Sequence, residues 1–158
     1  MAEKRKLTKT GYKEKEERLR YLQEVALPEV QKQLSEARKL GDLSENADYD
    51  AAKRESEKIE REIAEIENLL SNAEIVEYSN KVNNVVDFAA LVTIRREGSS
   101  KEETYEIVGT DEVKPFEKKI SFESPLGKAL RNHKVGDKVE VLAPTTYVVE
   151  IVSIKGNN

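Results

Sequence analysis

The chain has no cysteine, no tryptophan and a single histidine, His133, among 158 residues. Without cysteine there is neither a disulfide nor a thiolate metal site. One imidazole removes most zinc-site designs and leaves little general-base chemistry near neutral pH. No run reaches the roughly 18 consecutive apolar residues of a membrane span. Lys4, Arg5 and Lys6 are not followed by an apolar segment, so no signal peptide is expected, and a soluble cytoplasmic protein is the default reading. What the chain has in abundance is charge. Charged residues make up 37% of it, against about 25% for an ordinary globular domain. Long solvated helices are one way to carry that much charge. The net charge is −4, so attraction of the whole molecule to nucleic acid is not indicated.

Two segments have helical periodicity. From residue 8 to about 39, Tyr12, Leu19, Leu22, Ala26, Val30, Leu34 and Ala37 recur at steps of three, four or seven. Thr8 is a candidate N-cap. Pro28 interrupts this segment, and a proline inside a helix removes one hydrogen bond and usually kinks it, so a bend is expected near Val25 to Pro28. Gly41 suits the position just beyond a helix end. From 44 to 73, Ala52, Ile59, Ile66 and Ala73 repeat every seven residues, with Ser56, Ile63 and Leu70 in the second seam position. That heptad pattern is the signature of a coiled coil. Each helix of about 30 residues would be roughly 45 Å long, and the short link between them predicts an antiparallel hairpin.

After Val76 the period changes. Residues 79–84 are polar and unpatterned, a linker. Phe88 to Ile94, Thr104 to Val108, Lys138 to Leu142 and Tyr147 to Ile154 read as strands. Residues 125–130 suit a short helix with Ser124 as N-cap and Pro125 at the first position. The expected fold class is therefore α+β. A coiled-coil hairpin occupies residues 1–78, and a small sheet-and-helix domain occupies 85–158.

The tip, residues 41–50, has three acids within the seven residues 42–48: Asp42, Glu45 and Asp48. Charge is segregated along the hairpin. Glu3 to Arg20 holds eight Lys/Arg against four Glu, while Leu40 to Glu55 holds five acids against Lys53 and Arg54. Asp42 followed by Glu45 is the spacing of a capping box, so both acids are candidate caps of the second helix. The same spacing brings two carboxylates and Tyr49 to one helix face. Two carboxylates suit a hard cation such as Mg²⁺, which takes oxygen ligands and keeps several waters. A hairpin tip forms no pocket and excludes no water. If the pair does metal chemistry, a partner must complete the site.

The sequence Gly41-Asp42-Leu43-Ser44-Glu45-Asn46-Ala47-Asp48-Tyr49-Asp50-Ala51-Ala52-Lys53 closely resembles the tip motif of the bacterial transcript cleavage factors of GreA type. The resemblance is collinear and includes Leu7-Thr8 with Gly11, Pro28-Glu29-Val30, Glu36-Ala37-Arg38, Tyr105 to Gly109, Ser121 with Ser124 to Leu130, and Gly136-Asp137. It implies an N-terminal antiparallel coiled coil and a C-terminal domain of FKBP-like fold. It further implies that the C-terminal domain docks on bacterial RNA polymerase. The coiled coil then enters the secondary channel, and the tip stimulates Mg²⁺-dependent cleavage of backtracked nascent RNA at its 3′ end. Asp42 and Glu45 occupy the positions of the family's two catalytic acids. They would share the Mg²⁺ with the polymerase, the free protein binding none tightly. Ser44, Asn46 and Tyr49 would support the tip. DNA would be met only through the elongation complex, and no membrane is involved. The chain would be an accessory factor that completes the polymerase active site, not a self-contained enzyme. Ala89 stands where the family usually has glycine after phenylalanine, and Thr145-Thr146 replaces a glycine-containing turn. The first departure is expected to affect a local turn, and neither touches the tip.

Other readings stay open. Asn46 could cap or hydrogen-bond at the tip, or take a direct part in catalysis. Lys53 and Arg54 could contact RNA phosphate or form a solvated face. Tyr49 could meet RNA or polymerase, or lie against the facing helix. The basic run from Lys4 to Lys15 could attract RNA. His133 is expected to be exposed and inert, and Ser124 is a cap with no base to activate it. A polymerase-channel inhibitor of the same architecture is the second hypothesis. A prolyl isomerase or chaperone is the third. It is disfavoured by the aromatic content of only 6% and leaves the acidic tip without a task.

Overall fold

The computed structural model describes residues 4–40, 46–78 and 84–156. They fall into two compact units, one within Tyr12–Ala73, the other made of Arg5–Gly11 together with Glu74 onward.

The first unit is the helical hairpin. Helix α1 (Lys9–Tyr21) runs through a π turn (Leu22–Ala26) into α2 (Leu27–Lys39), and α3 (Ala47–Ser71) returns. Thr8 caps α1 as expected, its Oγ1 accepting the Gly11 N–H at 3.0 Å. Near Pro28 the chain does not break. Proline has no N–H for the carbonyl four residues back, and its ring crowds that carbonyl. The turn before it widens instead, and the Leu27 N–H donates to the Leu22 carbonyl, five residues earlier. The strain expected as a bend near Val25 to Pro28 is thus met by a local π turn.

The seam follows the heptads. Ala52, Ser56, Ile59 and Ile66 are buried, facing buried Leu22, Val30 and Ala37. Ile63 and Leu70 are partly buried, and Leu69 is buried beside them. Two pairings give the direction of the helices. The start of α3 meets the end of α2 through Asn46 and Ala37. Further along α3, Glu62 meets Arg18 of α1 at 2.9 and 3.1 Å. That order is antiparallel. The hydrogen bond from Arg18 holds the Glu62 carboxyl below its ordinary range, but Arg18 is half-exposed and Glu62 about a third exposed, and such surface pairs add little stability.

Helix α3 is shorter than the 44–73 expected from sequence. It begins at Ala47 and ends at Ser71. The Asn72 N–H closes on the Asn68, Leu69 and Leu70 carbonyls, and the Asn72 side chain bonds the Asn68 carbonyl at 2.9 Å. Side chains that bond nearby backbone compete with helix propagation. Ala73 continues the heptad spacing but opens strand β2 (Ala73–Ile75).

The second unit is built on a five-stranded sheet in the order β5-β4-β3-β7-β6. Its strands are β3 (Ala90–Arg96), β4 (Glu102–Val108), β5 (Lys119–Ser121), β6 (Lys138–Val141) and β7 (Tyr147–Gly156). All neighbours are antiparallel except β4 and β5, which pair in parallel. Helix α4 (Pro125–Leu130) starts at its Ser124 cap, whose Oγ accepts the Gly127 N–H at 3.0 Å. Fully buried Val86, Val92, Ile107, Leu130, Val141 and Ile151 anchor the core. Ala89 lies in the left-handed region at φ 71°, where a side chain costs about 1 kcal/mol. This is the local turn at which the resemblance implied a glycine. The buried Ala89 donates its N–H to the Ile107 carbonyl at 2.8 Å.

A feature absent from the sequence reading is strand β1 (Arg5–Leu7), which pairs with β2. Arg5 makes a two-pronged ion pair with Asp111, and the Thr8 N–H and Oγ1 donate to the buried Glu112 carboxylate at 3.0 and 2.6 Å. Part of the basic run is thereby structural. Of the linker 79–84, residues 79–83 lie outside the described residues. No helix among the described residues is long and apolar enough to cross a membrane.

Candidate functional site

The candidate site is the segment joining α2 to α3. Asp42, Ser44 and Glu45 lie outside the described residues, but the scaffold on either side is defined. Leu40 closes α2, its N–H bonding the Ala37 and Arg38 carbonyls. On the other side Asn46 is the N-cap of α3, accepting the Tyr49 N–H on Oδ1 at 3.0 Å. Helix α3 thus begins at Ala47 rather than near residue 44, and of the candidate caps it is Asn46 that stands at its N-terminus; the capping-box pair Asp42 and Glu45 lies outside the described residues. The physical reason is reach. An N-cap side chain bonds the amide two or three residues ahead, and Asn46 stands three before Tyr49.

Asn46 does more than cap. Its Nδ2 donates to the Ala37 carbonyl at 2.6 Å, so a side chain with only 9% exposure joins the last turn of α2 to the first turn of α3. Tyr49 adds a second link. Its hydroxyl accepts from Arg38 Nη2 at 3.3 Å, and the guanidinium carbon stands 5.7 Å from the ring centroid. Of the two readings for Tyr49, its half-buried ring takes the one that lies against the facing helix. Asp48 and Asp50 occupy the first turn of α3, where carboxylates interact favourably with the helix dipole. Lys53 and Arg54 are exposed one turn behind, in reach of a passing polyanion.

Beside the tip a groove runs between α2 and α3, with Ala37, Leu40, Ala51 and Ala52 as its apolar part and Glu36, Asp48 and Glu55 around it. The acidic character therefore extends back along the shaft. Among the described residues no group of three or more His, Cys, Asp or Glu could hold a metal ion. In chemical terms the pair Asp42 and Glu45 fits a magnesium ion as an incomplete set of hard oxygen ligands. Such a set suits an ion shared with a second protein.

In the second unit His133 is half-exposed, with Nδ1 3.3 Å from Asp137 Oδ2. The Lys134 N–H and then His133 hold the Asp137 carboxyl below its ordinary range. This is a turn closure, as its sequence position suggested. Ser124 caps α4 and donates its hydroxyl to the Ser121 carbonyl at 2.6 Å.

The contribution of Arg38 and the second bond of Asn46 escaped the sequence reading. Both join residues that are close only once the hairpin has turned. The spacing of Asn46 three residues before Tyr49 was the one legible signal.

Comparison with known proteins bears on the whole chain. Residues 5–75 match the family described as transcription elongation factor, N-terminal, and residues 81–156 match transcription elongation factor, GreA/GreB, C-terminal. A protein of Metamycoplasma arthritidis named transcription elongation factor GreA is 45% identical over 156 residues, 96% of each chain. One of the same name from Bacillus licheniformis is 42% identical over 149 residues, 94% of each. Among solved structures, GreA factor homolog 1 of Thermus thermophilus is 31% identical, with 97% of this chain and 99% of that one covered and a TM-score of 0.44.

Proposed function

Because the chain belongs to the GreA/GreB family of transcription elongation factors, we propose that it works by donating Asp42 and Glu45 to the active site of bacterial RNA polymerase. The hairpin carries the two acids into the secondary channel, and the C-terminal unit docks outside it. The acids complete a site for cleavage of the backtracked RNA 3′ end. The chain is an accessory factor of a cytoplasmic enzyme, and DNA is met only through the elongation complex.

The observation that carries this reading is the placement of the motif. Gly41 to Glu45 runs between a closed helix end at Leu40 and a capped helix start at Asn46. An acidic segment held between two helix ends on a long shaft suits delivery into another protein better than self-contained catalysis. A magnesium ion shared between these carboxylates and those of the polymerase would supply activation of the attacking water and stabilisation of the leaving oxygen. Within this chain, Asp42 and Glu45 hold and orient, while exposed Lys53 and Arg54 offer positive charge to RNA phosphate.

The test is addition of the protein to a backtracked elongation complex with Mg²⁺. Short 3′ RNA fragments are expected. Asp42→Asn and Glu45→Gln are each expected to abolish release while leaving polymerase binding nearly unchanged. Binding without fragment release by the unmodified protein would identify a channel inhibitor instead. Wild-type cleavage by both variants would remove the two acids from the reaction.

A further inference from the structure

The hairpin adds a condition to that reading and the inference rests on it. Asn46 uses both halves of one carboxamide at once. Nδ2 donates to the Ala37 carbonyl at 2.6 Å, and Oδ1 accepts the Tyr49 N–H at 3.0 Å. Ala37 is buried in the hairpin seam, and Asn46 has 9% exposure. A buried polar side chain with both groups satisfied specifies a geometry as well as adding stability. Here it fixes two helix ends relative to each other. Those are the ends between which the chain carries Asp42 and Glu45.

We propose that Asn46 is a positioning residue for transcript cleavage, its carboxamide setting the spacing between the ends of α2 and α3 from which the two acids are presented. Capping alone does not account for it. Ser, Asp and Asn all serve as N-caps, but only an amide offers a donor and an acceptor on one rigid plane. An aspartate here keeps the bond to the Tyr49 N–H. It has no donor for Ala37, and its charge lies against that carbonyl. A serine keeps the cap without charge but does not reach across to α2. Aligning reacting groups lowers a barrier steeply, so a small change in spacing is felt in the rate with no loss of fold or affinity.

The experiment uses the full chain with a backtracked elongation complex and compares the unmodified protein with Asn46→Asp and Asn46→Ser. Four readouts are taken: the saturating cleavage rate, the half-saturating protein concentration, helix content, and exchange protection of the Tyr49 amide. Both variants are expected to keep their helix content and Tyr49 protection. Their saturating rate is expected to fall by about tenfold to a hundredfold, the scale of a misplacement of roughly 1 Å. The half-saturating concentration should stay within about twofold, since an interaction made only in the reaction leaves binding unchanged. Wild-type saturating rates in both variants overturn the proposal. So does a rate that falls only in step with lost helix content, which would make Asn46 a structural cap. A rise in half-saturating concentration alone also overturns it and assigns Asn46 to docking. No cleavage with the unmodified protein is a separate failure, that of the functional reading itself.

Discussion

Replacing Gly11 with alanine should change sign with its background. Gly11 is buried at the start of α1, and a Cβ built on it falls on the Glu112 carboxylate, overlapping Oε1 and Cδ. Glu112 is the end of a flexible side chain, so the clash itself is relieved by rotation. Rotation, however, breaks the bonds that Glu112 accepts from the Thr8 N–H and Oγ1. Hydrogen bonds to a charged group contribute about 1.5–3 kcal/mol each, and the two together about 3–6 kcal/mol. Against this, alanine is favoured over glycine inside a helix by up to about 1 kcal/mol. The net cost of Gly11→Ala is therefore about 2–5 kcal/mol. In a Glu112→Ala background the overlap with the Glu112 carboxylate is gone, and the same substitution should be neutral or stabilising by up to about 1 kcal/mol. Urea unfolding of the four proteins in this cycle measures the coupling directly. Equal effects of Gly11→Ala in both backgrounds would refute the argument, since the cost would then not pass through Glu112.

Three further outcomes are expected. Ile59→Ala in the hairpin seam should destabilise by about 2–5 kcal/mol, the usual range for a buried isoleucine, as a fall in thermal stability of the helical signal; a change under about 1 kcal/mol would mean the seam collapses around the gap. Tyr78→Phe deletes the hydroxyl that donates to the Val85 carbonyl at 2.5 Å and should cost about 1 kcal/mol by denaturant titration, whereas no loss would show that water replaces it. Burial first, and the hydrogen bond to Glu103 second, push the Tyr105 phenol up to about 12. The fold favours its neutral form, so this stabilisation is complete below the ordinary tyrosine range near pH 10 and is lost as pH rises toward 12. Phenolate absorbance should show a late transition that Tyr105→Phe removes, and a transition that persists would reassign it.

Legibility from sequence followed the range of the forces. The hairpin was readable because Ala52, Ile59 and Ile66 carry a repeat that burial then obeys. Thr8 and Ser124 were readable as caps because a cap bonds within three residues. Asp42 and Asn46 were both legible as candidate caps because both have the right chemistry. Only the register of α3 decides between them. Strand β1 was hidden in a basic run, since three residues carry too little alternation to mark a strand and its partner β2 is 66 or more residues away. Nothing in the sequence distinguishes Glu112 from the chain's many other acids. Its burial is set by Thr8, a contact across 104 residues.

The π turn at Leu22–Ala26 gives the hairpin one residue more than an ordinary α turn would hold. Leu22 and Val30 both reach the seam although eight residues separate them, while Val30 and Ala37 do so across seven. The wide turn absorbs the additional residue and keeps the faces on either side in phase. A deletion at exposed Gln23 or Glu24 would convert this turn to ordinary α geometry and preserve the seam, returning to Pro28 the steric conflict that the wide turn now relieves. Insertions of that size elsewhere in the shaft would rotate every later contact out of the interface. Leu22–Ala26 is therefore the place where the shaft can lose one residue with its seam in register, at the cost of the conflict at Pro28.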